Sequence, residues 1–205
     1  MAERLAERGV VKSRRVLDAF TAIPRHQLVP EALWGSAYQD VALPIGAGQT
    51  ISAPSVVAAM TEALALEGHE TVLEIGTGSG YQAAILSRLA AQVISIERLP
   101  RLAASARSAI DQLGVHNVIV YLGDGSVGRA QDAPFDAIVV TAGGPEVPQP
   151  LLDQLARGGR LVGPFGQRDQ QDLLRVRRTG PGSFEHEVIG RCRFVDLVGS
   201  HGWDG

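Results

Sequence analysis

The sequence predicts a doubly wound α/β sheet, preceded by helices and followed by an antiparallel hairpin. Two observations predict the sheet: from residue 70 onward short apolar runs alternate with amphipathic segments, and the apolar runs are continuous. Continuous apolar strands indicate a parallel sheet that is covered by helices, because neither face meets water. After residue 166 the amphipathic segments stop, which predicts a change to antiparallel strands.

The first segment, residues 1–69, is predicted to be helical apart from one glycine-rich loop. Apolar residues in "SRRVLDAFTAI" recur with a helical period, and Pro24 ends or redirects that helix. The loop "LPIGAGQTISAP" contains no obvious strand or long helix. Pro54 is typical of a first helical turn, so the helix "SVVAAMTEALAL" is expected after a cap at Ser52 or Ala53.

The second segment, residues 70–166, is predicted to be the α/β core. Its strands are "TVLEIG", "QVISIE", "NVIVYL", "DAIVVTA" and "GRLVGPFG", and its helices are "YQAAILSRLA", "RLAASARSAIDQL" and "LLDQLA". Right-handed crossovers are expected between the parallel strands. In the third segment, residues 167–205, "DLLRVRRT" and "FEHEVIGRCRFVDLVG" flank the turn "GPGS" and predict the hairpin. A chain of this length is expected to form a single domain.

The composition is that of an ordinary globular protein. The net charge of −3 lacks the basic balance of a nucleic-acid-binding protein, and no apolar run is long enough to span a bilayer. The single Cys192 excludes an internal disulfide, and its strand-like surroundings predict a structural thiol. The five histidines lack metal-ligand spacing, so no metal site is predicted. We expect a cytoplasmic monomer with no nucleic-acid or membrane partner.

A glycine-rich turn, residues 76–80 ("GTGSG"), links the first core strand to its helix. Glycines allow unusual dihedral angles and let a ligand approach the backbone closely. The third glycine comes one residue earlier than in the G-x-G-x-x-G dinucleotide fingerprint, which disfavours a nucleotide-dependent oxidoreductase. Glu74 lies inside the strand, where burial of an acid requires a polar partner. A tight turn without a ligand is the alternative.

Two further acids follow the next two strands. Glu97 ends the second core strand, where doubly wound folds place a carboxylate that accepts hydrogen bonds from ribose hydroxyls; a helix-capping acid is the alternative. Asp124, between Gly123 and Gly125, follows the third strand and could accept from an adenine amino group; a simple turn is the alternative. Because ligands bind at the carboxyl ends of parallel strands, the three signals together imply an adenosine-containing cofactor.

These residues carry a resemblance. "EIGTGSGYQ", Glu97 and "GDG" resemble the S-adenosyl-L-methionine site of class I methyltransferases, which have a Rossmann-like sheet. The segments "YQDVALPIGAGQTISAPSVVAAMTEAL", "FDAIVVTAGGPEVPQPLLDQLARGGRLVGPFG" and "CRFVDLV" resemble the protein-L-isoaspartate O-methyltransferase family. The resemblance covers roughly residues 11–198, and "LPIGxGQTIS" is its most specific part.

The resemblance implies an enzyme that transfers a methyl group from S-adenosyl-L-methionine to the α-carboxylate of L-isoaspartyl residues. Its partners would be damaged proteins and peptides, because the ester cyclises to a succinimide that hydrolyses partly to normal aspartate. Two alternatives stay open. One is an aspartate methyltransferase that acts on a dedicated biosynthetic peptide, and the other is a non-catalytic cofactor-binding module.

The resemblance also implies the site residues. Ser52 matches the position treated as the active-site residue, in a loop that lies against both cofactor and substrate. The implied cofactor-binding residues are Thr50, Ile51, Ser52, Glu74, Gly76, Thr77, Gly78, Glu97, Arg98, Gly123, Asp124 and Gly125. The implied substrate-binding residues are Thr50, Ser52, Val195 and Val198, the last two in the C-terminal hairpin.

The chemistry of a carboxylate explains what such a loop would do. A carboxyl group has a pKa near 4, so at neutral pH it is already an anionic nucleophile and needs no general base. The hydroxyls of Thr50 and Ser52, with free backbone N–H groups, could hold and orient it; correct orientation supplies roughly 7–11 kcal/mol in favourable cases. Ser52 is therefore predicted to position the substrate rather than to act as a covalent nucleophile. Two residues depart from the family pattern: Ser55 replaces a frequent His or Tyr, and Asp196 replaces the Pro of "FVPL".

Overall fold

The computed structural model describes residues 1–204. The N-terminal part contains α1 (Ala2–Glu7), α2 (Arg14–Ala22), two 3-10 helices (Arg25–Leu28 and Glu31–Ser36), β1 (Leu43–Gly46), β2 (Gln49–Ile51) and α3 (Pro54–Leu64). The core contains β3 (Thr71–Ile75), α4 (Tyr81–Ser87), β4 (Gln92–Glu97), α5 (Pro100–Gln112), β5 (Val118–Leu122), β6 (Phe135–Val140), α6 (Gln149–Asp153) and β7 (Leu155–Gly166). Strands β8 (Gln171–Gly180) and β9 (Ser183–Cys192) follow.

Seven strands form the central sheet in the order β5-β4-β3-β6-β7-β8-β9. Neighbours from β5 to β7 are parallel, and β8 and β9 are added antiparallel. This confirms the predicted α/β fold with its C-terminal hairpin. The chain moves outward from β3 to β5 and then returns to β6 on the other side of β3. Ligands of open α/β sheets bind at such a switch point, beyond the carboxyl ends of the strands.

Both faces of the central parallel strands β3, β4 and β6 are buried. Leu73, Phe135 and Ile138 belong to an apolar cluster on one face, whereas Val72 and Val139 pack with Met60 and Leu64 of α3 on the other. This is the reason for the continuous apolar runs in the sequence. A third cluster joins α1 and α2 to the core, and it also includes the hairpin β1–β2 through Leu43 and Ile51.

The prediction that "LPIGAGQTISAP" contains no strand was wrong. Strands β1 and β2 form an antiparallel hairpin, with Leu43 opposite Ile51. Both residues of its turn, Ala47 and Gly48, have positive φ, as in the type I′ turns that suit the twist of a hairpin. Strands of four and three residues are too short to produce a recognisable alternation, and alanine is an unusual residue at positive φ.

The N-terminal predictions are partly confirmed. Helix α2 ends at Ala22, ahead of Pro24, and Pro54 opens α3 with Ala53 as its N-cap. The stretch predicted to be helical between them forms two 3-10 helices instead of α-helices. Within residues 1–204 we find no helix with the length and apolar character needed to cross a membrane.

The last strand is shorter than predicted. The alternating pattern through "CRFVDLV" suggested one continuous strand, but β9 ends at Cys192. Residues 193–203, the C-terminal tail, turn back across the carboxyl ends of the parallel strands. There Gly143 N–H donates to Val195 O at 2.7 Å, and Leu197 N–H donates to Gly143 O at 2.8 Å. An alternating pattern shows that a segment pairs, but not which part of the chain it pairs with.

Candidate functional site

A cavity opens at the switch point of the sheet. Its lining comes from distant parts of the chain: residues 49–52, 57, 60, 75–79, 81–82, 96–99, 125, 141–142 and 194–198. The hairpin β1–β2, the glycine turn, the end of β4 and the C-terminal tail therefore meet around one space. This is the position at which ligands of open α/β sheets bind.

Most of the predicted site residues line this cavity. Those that line it are Thr50, Ile51, Ser52, Gly76, Thr77, Gly78, Glu97, Arg98, Gly125, Val195 and Val198. Glu74, Gly123 and Asp124 are outside the lining.

The glycine turn, residues 76–80, has a backbone conformation that favours glycine at three of its five positions. Gly76, Gly78 and Gly80 have φ values of +92°, +53° and +84°, which L-residues rarely adopt. A Cβ on Gly76 would also lie 2.5 Å from Thr141 Oγ1. The Thr141 hydroxyl donates to Gly76 O at 2.5 Å, so the turn is held against the end of β6.

Glu97 joins the glycine turn to the end of β4. Its carboxylate is buried and accepts from Gly78 N–H at 2.8 Å through Oε2 and from Leu99 N–H at 2.9 Å through Oε1. A carboxylate has about four acceptor positions, so two contacts leave capacity on both oxygens. Glu97 can therefore accept from hydroxyl groups of a ligand in the cavity.

Glu74 lies behind the lining of the cavity. Ser95 Oγ donates to Glu74 Oε2, and Ser95 Oγ lies 2.5 Å from Thr77 Oγ1, so a chain of polar groups connects Glu74 to the lining. Glu74 Oε1 is buried without a hydrogen-bond partner among residues 1–204. Burial, with a smaller contribution from the charge of Glu97, raises the pKa of Glu74 to about 8 against the opposing effect of the hydrogen bond from Ser95.

This raised pKa predicts a pH-dependent stability. A group whose pKa is higher in the folded state stabilises the protein below its unfolded pKa and loses that contribution as the pH rises through the folded value. In ligand-free protein, the free energy of unfolding relative to Glu74→Gln should fall between pH 4.5 and about 8. Urea unfolding of both proteins at several pH values measures this difference. A difference that does not change with pH would contradict the raised pKa.

Asp124 holds the C-terminal tail in place. Its Oδ2 accepts from Ser200 N–H at 2.7 Å, and its Oδ1 accepts from the N–H and hydroxyl of Ser126 at 2.8 and 2.6 Å. Partial burial acts to raise the pKa of Asp124, but these hydrogen bonds hold it below its usual range. A role of Asp124 toward adenine stays a prediction; of its turn, only Gly125 lines the cavity.

The loop after β2 is held in place by a hydrogen bond from Arg25. Ser52 is half-buried at the cavity wall, and its carbonyl accepts from Arg25 Nη2 at 2.7 Å. Ser55, one of the two departures, donates its N–H to Asp40 Oδ1 at 2.8 Å, and Asp40 also pairs with Arg8 at 2.5 Å. Residue 55 is outside the lining, so its change from the family pattern falls beside the cavity rather than in it.

The second departure, Asp196, does line the cavity. Its Oδ2 lies 3.2 Å from Arg168 Nε, and the Arg168 guanidinium stacks 4.7 Å from the centroid of the Trp203 ring. Arg168 therefore balances the extra negative charge that Asp196 brings to the rim of the cavity.

The single thiol of the chain, Cys192, is half-buried. Burial and the charge of Asp172 raise the pKa of Cys192 to about 11, which agrees with a structural thiol.

Several contributors were not found from sequence. Thr141 and Gln82 line the cavity, as does Tyr81, and Arg25 supports it from behind. Tyr81 and Gln82 follow the glycine turn directly, and that adjacency could have identified them. Thr141 ends the predicted strand next to the switch point, which is a weaker signal. Arg25 lies in no motif, and nothing local in the sequence points to it.

Comparison with known proteins identifies the family of this chain. A sequence model of the protein-L-isoaspartate(D-aspartate) O-methyltransferase family matches residues 1–202. The chain is 55% identical over 202 residues to protein-L-isoaspartate O-methyltransferase 1 of Syntrophobacter fumaroxidans, covering 98% of this chain and 94% of that relative. A solved protein-L-isoaspartate O-methyltransferase is 32% identical with a TM-score of 0.86, covering 98% of this chain and 67% of the other.

A second solved structure supports the fold. A Plasmodium falciparum protein crystallised with S-adenosyl-L-homocysteine has a TM-score of 0.84 at 24% identity, covering 96% of each chain. The family match extends over nearly the whole chain. It includes the glycine turn, Glu97, and Ser52 in the loop after β2. This chain therefore belongs to the protein-L-isoaspartate(D-aspartate) O-methyltransferase family.

Proposed function

We propose that this protein methylates the α-carboxylate of L-isoaspartyl residues in damaged proteins and peptides, with S-adenosyl-L-methionine as the methyl donor. One observation carries the proposal: the glycine turn with Glu97 and the loop after β2 with Ser52 line the same cavity. A cofactor held at the turn and a carboxylate held at the loop would therefore be neighbours. The resulting ester cyclises without the enzyme to a succinimide, which opens partly to normal aspartate.

The residues of the cavity fit the cofactor. Glu97 retains acceptor capacity for ribose hydroxyls, and the bent turn at Gly76 and Gly78 leaves room for close approach. Buried Gln82 Oε1, from a residue that lines the cavity, finds no hydrogen-bond partner among residues 1–204, which suits a ligand that brings hydrogen-bond donors. When bound, S-adenosyl-L-methionine supplies an electrophilic methyl group on a positively charged sulfur.

The protein's own part in the reaction is to orient the substrate. The isoaspartyl carboxylate is ionised at neutral pH, so no residue has to remove a proton. The exposed Thr50 and half-buried Ser52 place two hydroxyls at the wall of the cavity, where they can donate to that carboxylate. Val195 and Val198, from the C-terminal tail, supply apolar surface on the same cavity. This arrangement acts by orientation, which is effective when the attacking atom must approach in line.

A methyl-transfer assay with two matched peptides tests the proposal. One peptide contains isoaspartate and the other contains aspartate at the same position. We expect methyl ester on the isoaspartyl peptide alone, because the shifted backbone moves the aspartyl carboxylate away from the loop. Ester on neither peptide, despite binding of S-adenosyl-L-homocysteine, would favour the non-catalytic module. Ester on the aspartyl form of one peptide only would favour the dedicated biosynthetic enzyme.

Glu97→Ala should weaken cofactor binding. The change removes a buried carboxylate that can accept from ribose hydroxyls, and the loss of such an acceptor costs about 1–3 kcal/mol of binding free energy. Calorimetric titration with S-adenosyl-L-homocysteine measures the effect. Because Glu97 also holds Gly78 N–H and Leu99 N–H, thermal unfolding of the variant must be recorded alongside. An unchanged dissociation constant in a folded variant would remove Glu97 from the cofactor site.

The proposal also includes the compartment, the partners and the oligomeric state of the protein. A net charge of −3 and the absence of a membrane-crossing helix within residues 1–204 support a protein that works in the cytoplasm, without nucleic-acid or membrane partners. The monomeric state stays a prediction. Size-exclusion chromatography with light scattering tests it directly.

A further inference from the structure

Arg25 is a fully buried arginine that contacts the loop after β2. It begins the first 3-10 helix and is absent from the lining of the cavity. Among residues 1–204 no carboxylate lies within ion-pair distance of its guanidinium. A buried cation is costly, so its position requires an explanation from the groups around it.

Two main-chain carbonyls hold the guanidinium. Arg25 Nε donates to Ala37 O at 2.8 Å, and Nη2 donates to Ser52 O at 2.7 Å. Its Cζ lies 4.7 Å from the centroid of the Tyr81 ring, which begins α4 directly after the glycine turn. Arg25 Nη1 and Tyr81 Oη are both buried without a hydrogen-bond partner of good geometry among residues 1–204. Arg25 thus connects the loop at Ser52 to the helix that follows the cofactor turn.

The shape of the guanidinium makes this connection rigid. It is a planar group that presents its donors in a fixed fork, and it stacks on aromatic rings. Because Nε and Nη2 of Arg25 lie in the same plane, their two hydrogen bonds fix the distance between the carbonyls of Ala37 and Ser52. A lysine ammonium keeps the charge, but it is a compact point with no plane and cannot reproduce this spacing and stacking together.

We propose that Arg25 is a positioning residue for methyl transfer, which holds the main chain at Ser52 at a fixed place relative to Tyr81 and the glycine turn. It touches neither ligand. It acts through Ser52, whose hydroxyl then faces the substrate carboxylate in the geometry needed for attack. This inference rests on the proposed function, because it assigns Arg25 to the same reaction.

Arg25→Lys tests the proposal with charge retained. We expect kcat/KM for the isoaspartyl peptide to fall about 10- to 100-fold, the scale of a misplacement of about 1 Å. The dissociation constant and binding stoichiometry of S-adenosyl-L-homocysteine should stay at the wild-type values. Wild-type kcat/KM in Arg25→Lys would overturn the proposal. A fall that is matched by an equal loss of cofactor-binding stoichiometry would overturn it too, because it would reflect unfolded protein.

Arg160→Lys is the matched control. Arg160 is a half-buried arginine that also donates to two main-chain carbonyls, those of Leu64 and Ala65, and it pairs with Glu70 at 2.9 Å. It lies in the middle of β7, opposite Ala137 of β6, and is absent from the cavity lining. This variant should lower the melting temperature and leave kcat/KM unchanged. An equal loss of kcat/KM in both variants would show that Arg25 has only a structural role.

Two further measurements isolate the action through Ser52. The loss caused by Arg25→Lys should be smaller in a Ser52→Ala background than in the wild type, since coupled residues are non-additive. Equal losses would overturn the proposal.

Amide hydrogen exchange in residues 49–52 should be faster in Arg25→Lys than in the wild type. Hydrogen exchange does not depend on methylation, so it tests the positioning role separately from the proposed function. Unchanged exchange in Arg25→Lys would refute the positioning role. A wild-type protein that forms no ester would refute the proposed function.

Discussion

Replacing Ser52 with alanine is expected to lower turnover on an isoaspartyl peptide about 10- to 100-fold, with little change in cofactor affinity. The reason is that Ser52 lines the cavity while its main-chain carbonyl is held by Arg25. Alanine leaves that hydrogen bond in place and removes only the hydroxyl that we propose as the donor to the substrate carboxylate. Steady-state kinetics and calorimetry with S-adenosyl-L-homocysteine measure the two quantities separately.

The pH profile and a neighbouring variant distinguish positioning from other roles for Ser52. If Ser52 acted with a base, activity of the variant would recover at higher pH; we expect no new ionisation in its profile. A covalent Ser52 adduct trapped during turnover would rule out positioning. Ser55→Ala is the matched control, because the same change falls three residues later, in the first turn of α3 and outside the cavity lining. It should keep wild-type turnover.

Replacing Gly76 with alanine is expected to destabilise the fold by roughly 2–5 kcal/mol and to weaken cofactor binding at least about tenfold. Two effects combine at this position. The backbone has a φ of +92°, which alanine resists, and the added Cβ would lie 2.5 Å from Thr141 Oγ1. The turn must then move away from the end of β6, which displaces the N–H of Gly78 from Glu97. Urea unfolding gives the first quantity and calorimetric titration the second.

Gly158→Ala separates these two effects. Gly158 also has a positive φ, +79°, but a Cβ there would meet nothing within 4 Å. We expect only the dihedral cost of about 1–2 kcal/mol and no change in cofactor binding. If Gly76→Ala behaved like Gly158→Ala, close packing of the turn against Thr141 would not matter for the site.

The part of the cavity lining formed by the glycine turn and Glu97 could be predicted because its signals are local. The glycine turn and Glu97 each follow directly from a strand, so their neighbours in sequence determine where they lie. The hairpin loop was harder, because β1 and β2 are too short for a pattern and their turn uses Ala47 at positive φ. Only the family resemblance identified Ser52 as part of the site.

The rest could not be predicted because it depends on contacts between distant segments. The bend of the chain after Cys192 is set by pairing with Gly143, about fifty residues earlier. Arg25 reaches Ser52 across the folded structure, and an isolated arginine between two predicted helices looks like a surface residue. Long-range pairing of this kind is determined by packing and leaves no periodic trace in the sequence.

The C-terminal tail makes one side of the cavity separable from the sheet. Val195 and Val198 form part of the cavity wall, and Ser200 donates its N–H to Asp124. The seven strands of the sheet end at Cys192, so their pairing does not involve the tail. We therefore expect a single proteolytic cut after residue 192 to leave the sheet folded while it opens the cavity, with loss of methyl transfer.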